Sequence, residues 1–228
     1  RLQHVISMAR DTLKNLRLAI AGTVVMSEQL ASAMDAMFDA RVPPHWVGKS
    51  WVSPNIGVWM SDFMSRHSQN GGWMNNGRPH SFWLSGFFNP QGFLTSVTQE
   101  VTRKHAGWAM DEITMYSSVT KEEKESVKEH PQEGGVYIYG LYLEGCAWDK
   151  RQDRIVPSKP KEIYNALPLL YVTAVQTAGL KKKDVYDCPV YKMNRRTQLN
   201  YIFTAFLRTE DPTHVWVRAG GALMASKD

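Results

Sequence analysis

Gly135 and Gly140 stand at the spacing of the glycines in a phosphate-cradling loop, but Leu141-Tyr142 follow where that loop needs Lys and then Ser or Thr. Without the ammonium and the hydroxyl nothing holds phosphates or Mg²⁺, so these glycines are expected to permit bends or close packing in a strand. The histidines (His4, His45, His67, His80, His105, His130, His214) lack the paired spacing of zinc ligands, and Cys146 and Cys188 have no nearby cysteine partner. Ser85-Gly86 lacks the preceding glycine of a nucleophile elbow. Carboxylates at Asp111-Glu112 or Glu122-Glu123-Glu125 could pair as acid and base in a hydrolase. The second group alternates with Lys121, Lys124 and Lys128, the pattern of a solvated segment with local ion pairs. Eight tryptophans and nine tyrosines could stack sugars or bases, although most are expected in the core. No cofactor, metal or catalytic residue is expected within these 228 residues.

A protein of this length can bury a proper core without disulfides, and two cysteines are too few for a secreted disulfide framework. No segment reads as a signal peptide or a membrane span, and the start at Arg1 reads as part of something longer. The net charge of +5 is uneven: between Lys150 and Arg196 there are eleven basic residues against four acidic. Such a region could face nucleic acid or another acidic partner, yet a solvated surface explains it more simply.

The first half reads as helical. Leu2, Val5, Ile6, Ala9, Leu13, Leu16, Ile20 and Val24 recur at the three-four spacing of one helical stripe. Ser27 is placed to cap a second helix carrying Leu30, Met34, Met37 and Phe38, which must end before Pro43-Pro44. Trp46 and Trp51 fall in a loop. A third helix is expected from Pro54 to His67, with turns at Asn70-Gly71-Gly72 and Asn75-Asn76-Gly77. Asn89-Pro90 supplies a cap and a first-turn proline for a fourth, which fades near His105-Ala106-Gly107. The second half reads as β, with runs at 136–143, 167–175, 190–193, 201–207, 215–217 and 222–225. The expected class is α+β: a helical part over 1–107, a charged connector over 108–133, and over 134–228 a small incomplete antiparallel barrel of about six strands.

Two aromatic-rich segments, 80–94 (His-Ser-Phe-Trp-Leu-Ser-Gly-Phe-Phe-Asn-Pro-Gln-Gly-Phe-Leu) and 134–149 (from Gly134-Gly135-Val136-Tyr137 to Trp148-Asp149), carry a resemblance. With Gly22-Thr23-Val24-Val25-Met26-Ser27, Val42-Pro43-x-x-Trp46, Tyr186-Asp187-Cys188-Pro189-Val190-Tyr191-Lys192 and Trp216-Val217-Arg218-Ala219-Gly220-Gly221-Ala222-Leu223, the sequence resembles the C-terminal domain of axonemal dynein heavy chains. Arg195-Arg196-Thr197-x-Leu199-Asn200-Tyr201-Ile202 looks like the short variant of the outer-arm gamma-type heavy chain. Ala219 and Gly221 depart from the family's usual closing phrase.

The resemblance implies a ciliary or flagellar, cytoskeletal location and packing against the AAA+ ring modules of the same heavy chain. It implies association with other dynein chains and microtubules, with ATP and Mg²⁺ bound elsewhere in the parent motor, and places Asp228 at or next to the C-terminus. Membrane contact is not expected, and nucleic acid is a weak prospect. Candidate ring-interface residues are Trp46, Trp51 and Trp148, with the basic Lys181, Lys182, Lys183, Arg195 and Arg196. Core packing explains the tryptophans equally well, and a solvated face the basic group. Two rival functions remain: an independent module gripping tubulin or nucleic acid through its basic face, and a carboxylate-based hydrolase.

Overall fold

The computed structural model describes residues 1–180 and 183–226, and its contacts fall into two compact units that divide at Asn75/Asn76.

The first unit is all helical: α1 (Leu2–Ile20), α2 (Glu28–Phe38), the short α3 (Pro44–Val47) and α4 (Ile56–Asn76). Ser27 caps α2 as expected, its hydroxyl accepting from the Leu30 N–H at 3.3 Å. Asn55 does the same for α4, accepting from Val58 N–H at 2.9 Å. Two expectations fail here. Trp46 lies on α3 rather than in a loop, and α4 runs straight through Asn70-Gly71-Gly72. The Asn70 amide donates to the Arg66 carbonyl one turn back at 2.8 Å, so the residue that favours turns elsewhere is satisfied inside the helix. The helix ends at the second turn signal, where Gly77 takes φ +84°.

The second unit holds eleven strands among the described residues, more than the six expected. One sheet runs β1 (Ser81–Trp83), β3 (Val136–Tyr139), β8 (Leu170–Gln176), β2 (Ile113–Val119). The other runs β10 (Tyr201–Arg208), β9 (Val185–Tyr191), β11 (Ala222–Met224), β4 (Tyr142–Glu144), β7 (Tyr164–Ala166). A ribbon of β5 (Ala147–Asp149) and β6 (Arg154–Val156) completes the set. Pairing is antiparallel except at β1/β3 and β9/β11, which are parallel. β2 and β10 approach one another, and the Phe206 N–H donates to Ser117 Oγ at 2.9 Å, so the two sheets form an open barrel. α5 (Pro90–Lys104), capped by Asn89, lays Leu94, Val97 and Val101 against β8. β2 lies within the stretch expected as a connector. Residues 215–217 are helical, in α6 (Thr213–Arg218), rather than a strand. Trp216 is buried there, and its indole N–H donates to Thr209 Oγ1 at 2.7 Å; a three-residue apolar run carries no period that could have told helix from strand.

The run expected as one strand over 136–143 is two strands in different sheets, and Gly140 is the break. Its φ is +80°, and a Cβ there would stand 2.5 Å from Trp83 Cδ1. The kink shifts the alternation by one residue: Val136 and Ile138 are buried before it, Leu141 and Leu143 after it. Gly135 is equally constrained, since a Cβ would meet the Val172 carbonyl oxygen at 2.4 Å. The glycine pair that mimics a phosphate loop therefore serves backbone packing.

Candidate functional site

Three arrangements bear on function. The first is the aromatic centre of the helical unit. Trp59, at its middle, packs on Trp46 with ring centroids 4.7 Å apart, on Trp51 at 5.0 Å and on Phe63 at 5.3 Å. Ser50 stitches the group together: its hydroxyl accepts from the Trp59 indole N–H at 3.0 Å and donates to the Trp46 carbonyl at 2.8 Å. Trp46 in turn donates to Thr12 Oγ1 on α1 at 3.2 Å, and that hydroxyl bonds His45 Nε2 at 2.9 Å. Arg66 lies 4.0 Å over the Trp51 ring and pairs with Asp62 at 3.0 Å. Trp46 and Trp51 are thus core residues of this unit, shaping its surface from inside.

That surface is unusually apolar. Of seventeen large apolar side chains exposed among the described residues, twelve belong to the helical unit, Phe38 at 91 % and Val25 at 87 % among them. The stripe read along α1 is only partly internal: Val5, Ala9 and Leu16 are buried with Thr12, whereas Leu13, Ile20 and Val24 are exposed. On α2 the core is made by Ala33 and Ala36, leaving Met34 and Phe38 outside.

The second arrangement is a cleft of about 490 Å³ in the β unit, lined by Tyr116, Trp148, Lys183, Arg154, Arg208 and Glu210 among others. It brings together two of the expected residues, Trp148 from β5 and the exposed Lys183 before β9. Its cations are largely answered: Arg208 pairs with Asp153 at 2.8 Å and Arg154 with Glu210. A basic grip on an acidic polymer is correspondingly weak here. Lys181 and Lys182 lie outside the described residues. Arg195 and Arg196 sit together on the exposed β9–β10 loop, where Arg196 pairs with Glu144 of β4 at 2.8 Å.

The third is the clamp on the Gly134-Gly135 turn. Arg78 reaches both Glu100 carboxylate oxygens at 2.9 and 3.0 Å and the Gly135 carbonyl at 3.0 Å, while the Tyr171 hydroxyl donates to the Gly134 carbonyl at 2.7 Å. Burial alone would raise the Glu100 carboxyl, but hydrogen bonds from Lys104 and Arg78 hold it below its usual range. His130, 4.8 Å from His80, is pushed down by burial and by His80 and Arg78.

None of these has the chemistry of a nucleophile or of a paired acid and base. Burial pushes the Cys146 thiol up to about 12 and Cys188 well above its ordinary value, which keeps both protonated and unreactive at neutral pH. Asp111, Glu112, Glu122, Glu123 and Glu125 fall outside any such pairing: all but Glu112 are exposed at the surface in full, and Glu112 joins them there as its backbone carbonyl accepts from the Thr177 N–H. Glu123 pairs with Lys150 at 2.5 Å and Glu122 accepts from the Ser126 hydroxyl. The exposed apolar face had a faint sequence signal, the excess of methionine and valine at positions off the buried stripe.

Helices with an aromatic centre, followed in sequence by an open barrel with a clamped glycine turn, are the parts of a dynein C-terminal domain. The sequence profile of that domain of dynein heavy chains matches residues 1–225, and the protein belongs to this family. It is similar to human dynein axonemal heavy chain 8, 46 % identical over 98 % of its own length, and to mouse dynein axonemal heavy chain 5, 46 % identical over 98 %. It is also similar to the flagellar outer-arm dynein gamma chain of Chlamydomonas reinhardtii, 44 % identical over 100 %. In each case it spans 5 % of the relative's length. These relatives place the family in the axoneme of cilia and flagella, a cytoskeletal location, and no helix among the described residues is long and apolar enough to cross a membrane.

Proposed function

We propose that this protein is a non-catalytic structural and regulatory domain of an axonemal dynein heavy chain. It packs on the AAA+ ring of the same heavy chain and modulates ATP-driven, minus-end-directed movement along microtubules. The nucleotide and Mg²⁺ sites lie elsewhere in that heavy chain, within an assembly that includes other dynein chains. The observation that carries the reading is the exposed apolar face of the helical unit, in a sequence that matches the family over residues 1–225. Apolar patches of this kind are uncommon on free-standing surfaces and mark places where another surface belongs.

The mechanism is bias rather than chemistry. A domain that touches several ring modules shifts the balance between ring conformations by whatever its contacts differ between them. About 1–3 kcal/mol is enough to change nucleotide response severalfold or more. Deleting residues 1–228 from the parent heavy chain tests this through microtubule-stimulated ATPase and gliding velocity. Altered output with the ring still folded supports the reading; unchanged output, or ATP turnover by the isolated domain, contradicts it.

A further inference from the structure

We propose that Thr197 is a phosphorylation site for a basic-directed serine/threonine kinase, and that its phosphate draws Arg196 away from Glu144. Thr197 is the one hydroxyl residue in the sequence immediately preceded by two arginines, Arg195 and Arg196. Kinases that select basic substrates read such arginines with carboxylates, through charge-assisted hydrogen bonds. Sequence alone would give only that pattern; the structure adds access and consequence.

Access comes from the β9–β10 loop. Every residue from Arg195 to Leu199 is exposed, and Leu199 at 95 % is the most exposed large apolar residue among those described. The Thr197 hydroxyl makes no hydrogen bond among the described residues, and its backbone bonds stay within the loop: its N–H to Arg195, its carbonyl to the N–H groups of Asn200 and Tyr201. Arg195 has no ion pair among the described residues. A kinase can engage the loop without disturbing either sheet. In the transfer, Thr197 Oγ1 bonds the γ-phosphorus of ATP and the bond to the β,γ-bridging oxygen breaks. The hydroxyl proton passes to the kinase's base, and ADP leaves.

The consequence follows from Arg196. Its guanidinium holds Glu144 at 2.8 Å, pinning the loop to β4, and both side chains are about one-third exposed, 34 % and 33 %. A pair that open is weak and exchangeable. A phosphate on the adjacent residue carries about −1.5 to −2 charges at neutral pH and three strong acceptor oxygens, and so outcompetes one carboxylate. Arg196 is also a cation whose charge reaches the buried Cys146, Cys188 and Tyr186, so moving it alters the field at the middle of the second sheet. The local basic patch is at the same time neutralised. The site stands whether or not these arginines face a ring module; their failure to do so would leave it intact.

The experiment treats the intact heavy chain with ATP and the catalytic subunit of a basic-directed kinase, and maps phosphate by peptide mass spectrometry. Amide exchange is then compared over 142–146 and 192–200. The expected result is phosphate on Thr197, absent in Thr197→Val and about tenfold slower to appear in Arg195→Gln. Exchange in both segments should be faster after phosphorylation, and Glu144→Gln should give the same faster exchange without kinase. No phosphate at Thr197 while a control peptide is modified overturns the site. Phosphate at Thr197 with exchange unchanged overturns the switch.

Discussion

The two units are built on opposite principles. In the β unit, strands from distant parts of the sequence fill a shared interior: Ile138, Leu141, Leu143, Leu170, Cys188, Val190, Ala205, Leu207, Leu223 and Met224 are all nearly inaccessible. The helical unit concentrates its interior in one aromatic cluster around Trp59, with alanines on α2, and leaves its larger aliphatic residues outside. A unit that completes its own core, beside one in the same sequence that leaves apolar area exposed, indicates that the second is finished by a surface from elsewhere.

The largest effect that would sharpen this contrast is Trp59→Ala. Removing the central ring leaves Ser50 without its donor and three aromatic neighbours without a face to pack on. It should cost about 3–5 kcal/mol, enough to melt the helical unit while the β unit keeps its ladders. Site-resolved amide exchange reads this; loss of protection spread equally over both units would break the contrast. Next come two glycines. Gly140→Ala forces a Cβ against the Trp83 ring at φ +80° and should destabilise the β unit by more than about 1 kcal/mol. Gly72→Ala, inside α4 with nothing within 4 Å, should stabilise the helical unit by about 0.5–1 kcal/mol in chemical denaturation.

A smaller effect concerns pH. Burial, and then the charge of Lys49, lower His45 from its ordinary 6.5. The unfolded state therefore takes up this proton before the folded one. The resulting stability is present above pH 6.5 and lost as pH falls from there toward the folded value. Urea midpoints of the helical unit should drop modestly over that window, and His45→Gln should flatten the slope. Smallest of all, Phe38→Ser should leave the stability within about 0.5 kcal/mol, because the ring is almost wholly exposed, yet visibly lower binding of an apolar dye. A large stability loss there would mean that the face is already covered.

Helices were legible where local chemistry fixes them: Ser27 and Asn89 cap as their residue types suggest, and Pro90 opens α5. Five strands were not, namely β1, β2, β5, β6 and β7. Each of the three-residue strands is too short to show a period, and β2, which is longer, has mixed half-buried sides because it faces both β8 and β10. Gly140 was read as a packing glycine, but not as the point where the backbone leaves one sheet for the other. That depends on the ring of Trp83, far back in the sequence. The tryptophans at 46 and 51 were visible as either core or contact, and only the contacts of Trp59 decide for core. Exposure of Phe38 and Met34 was the least legible, because a helical stripe in sequence looks the same whether or not anything covers it.

The most direct test is oxidative footprinting of Met34, Phe38, Met64 and Met74 in the isolated domain and in the intact heavy chain, with Trp59 as a buried internal reference. The account predicts strong labelling in isolation and protection of several of these side chains in the heavy chain. Equal labelling in both would show that nothing covers the apolar face, and would contradict the claim that the helical unit is completed by the motor it belongs to.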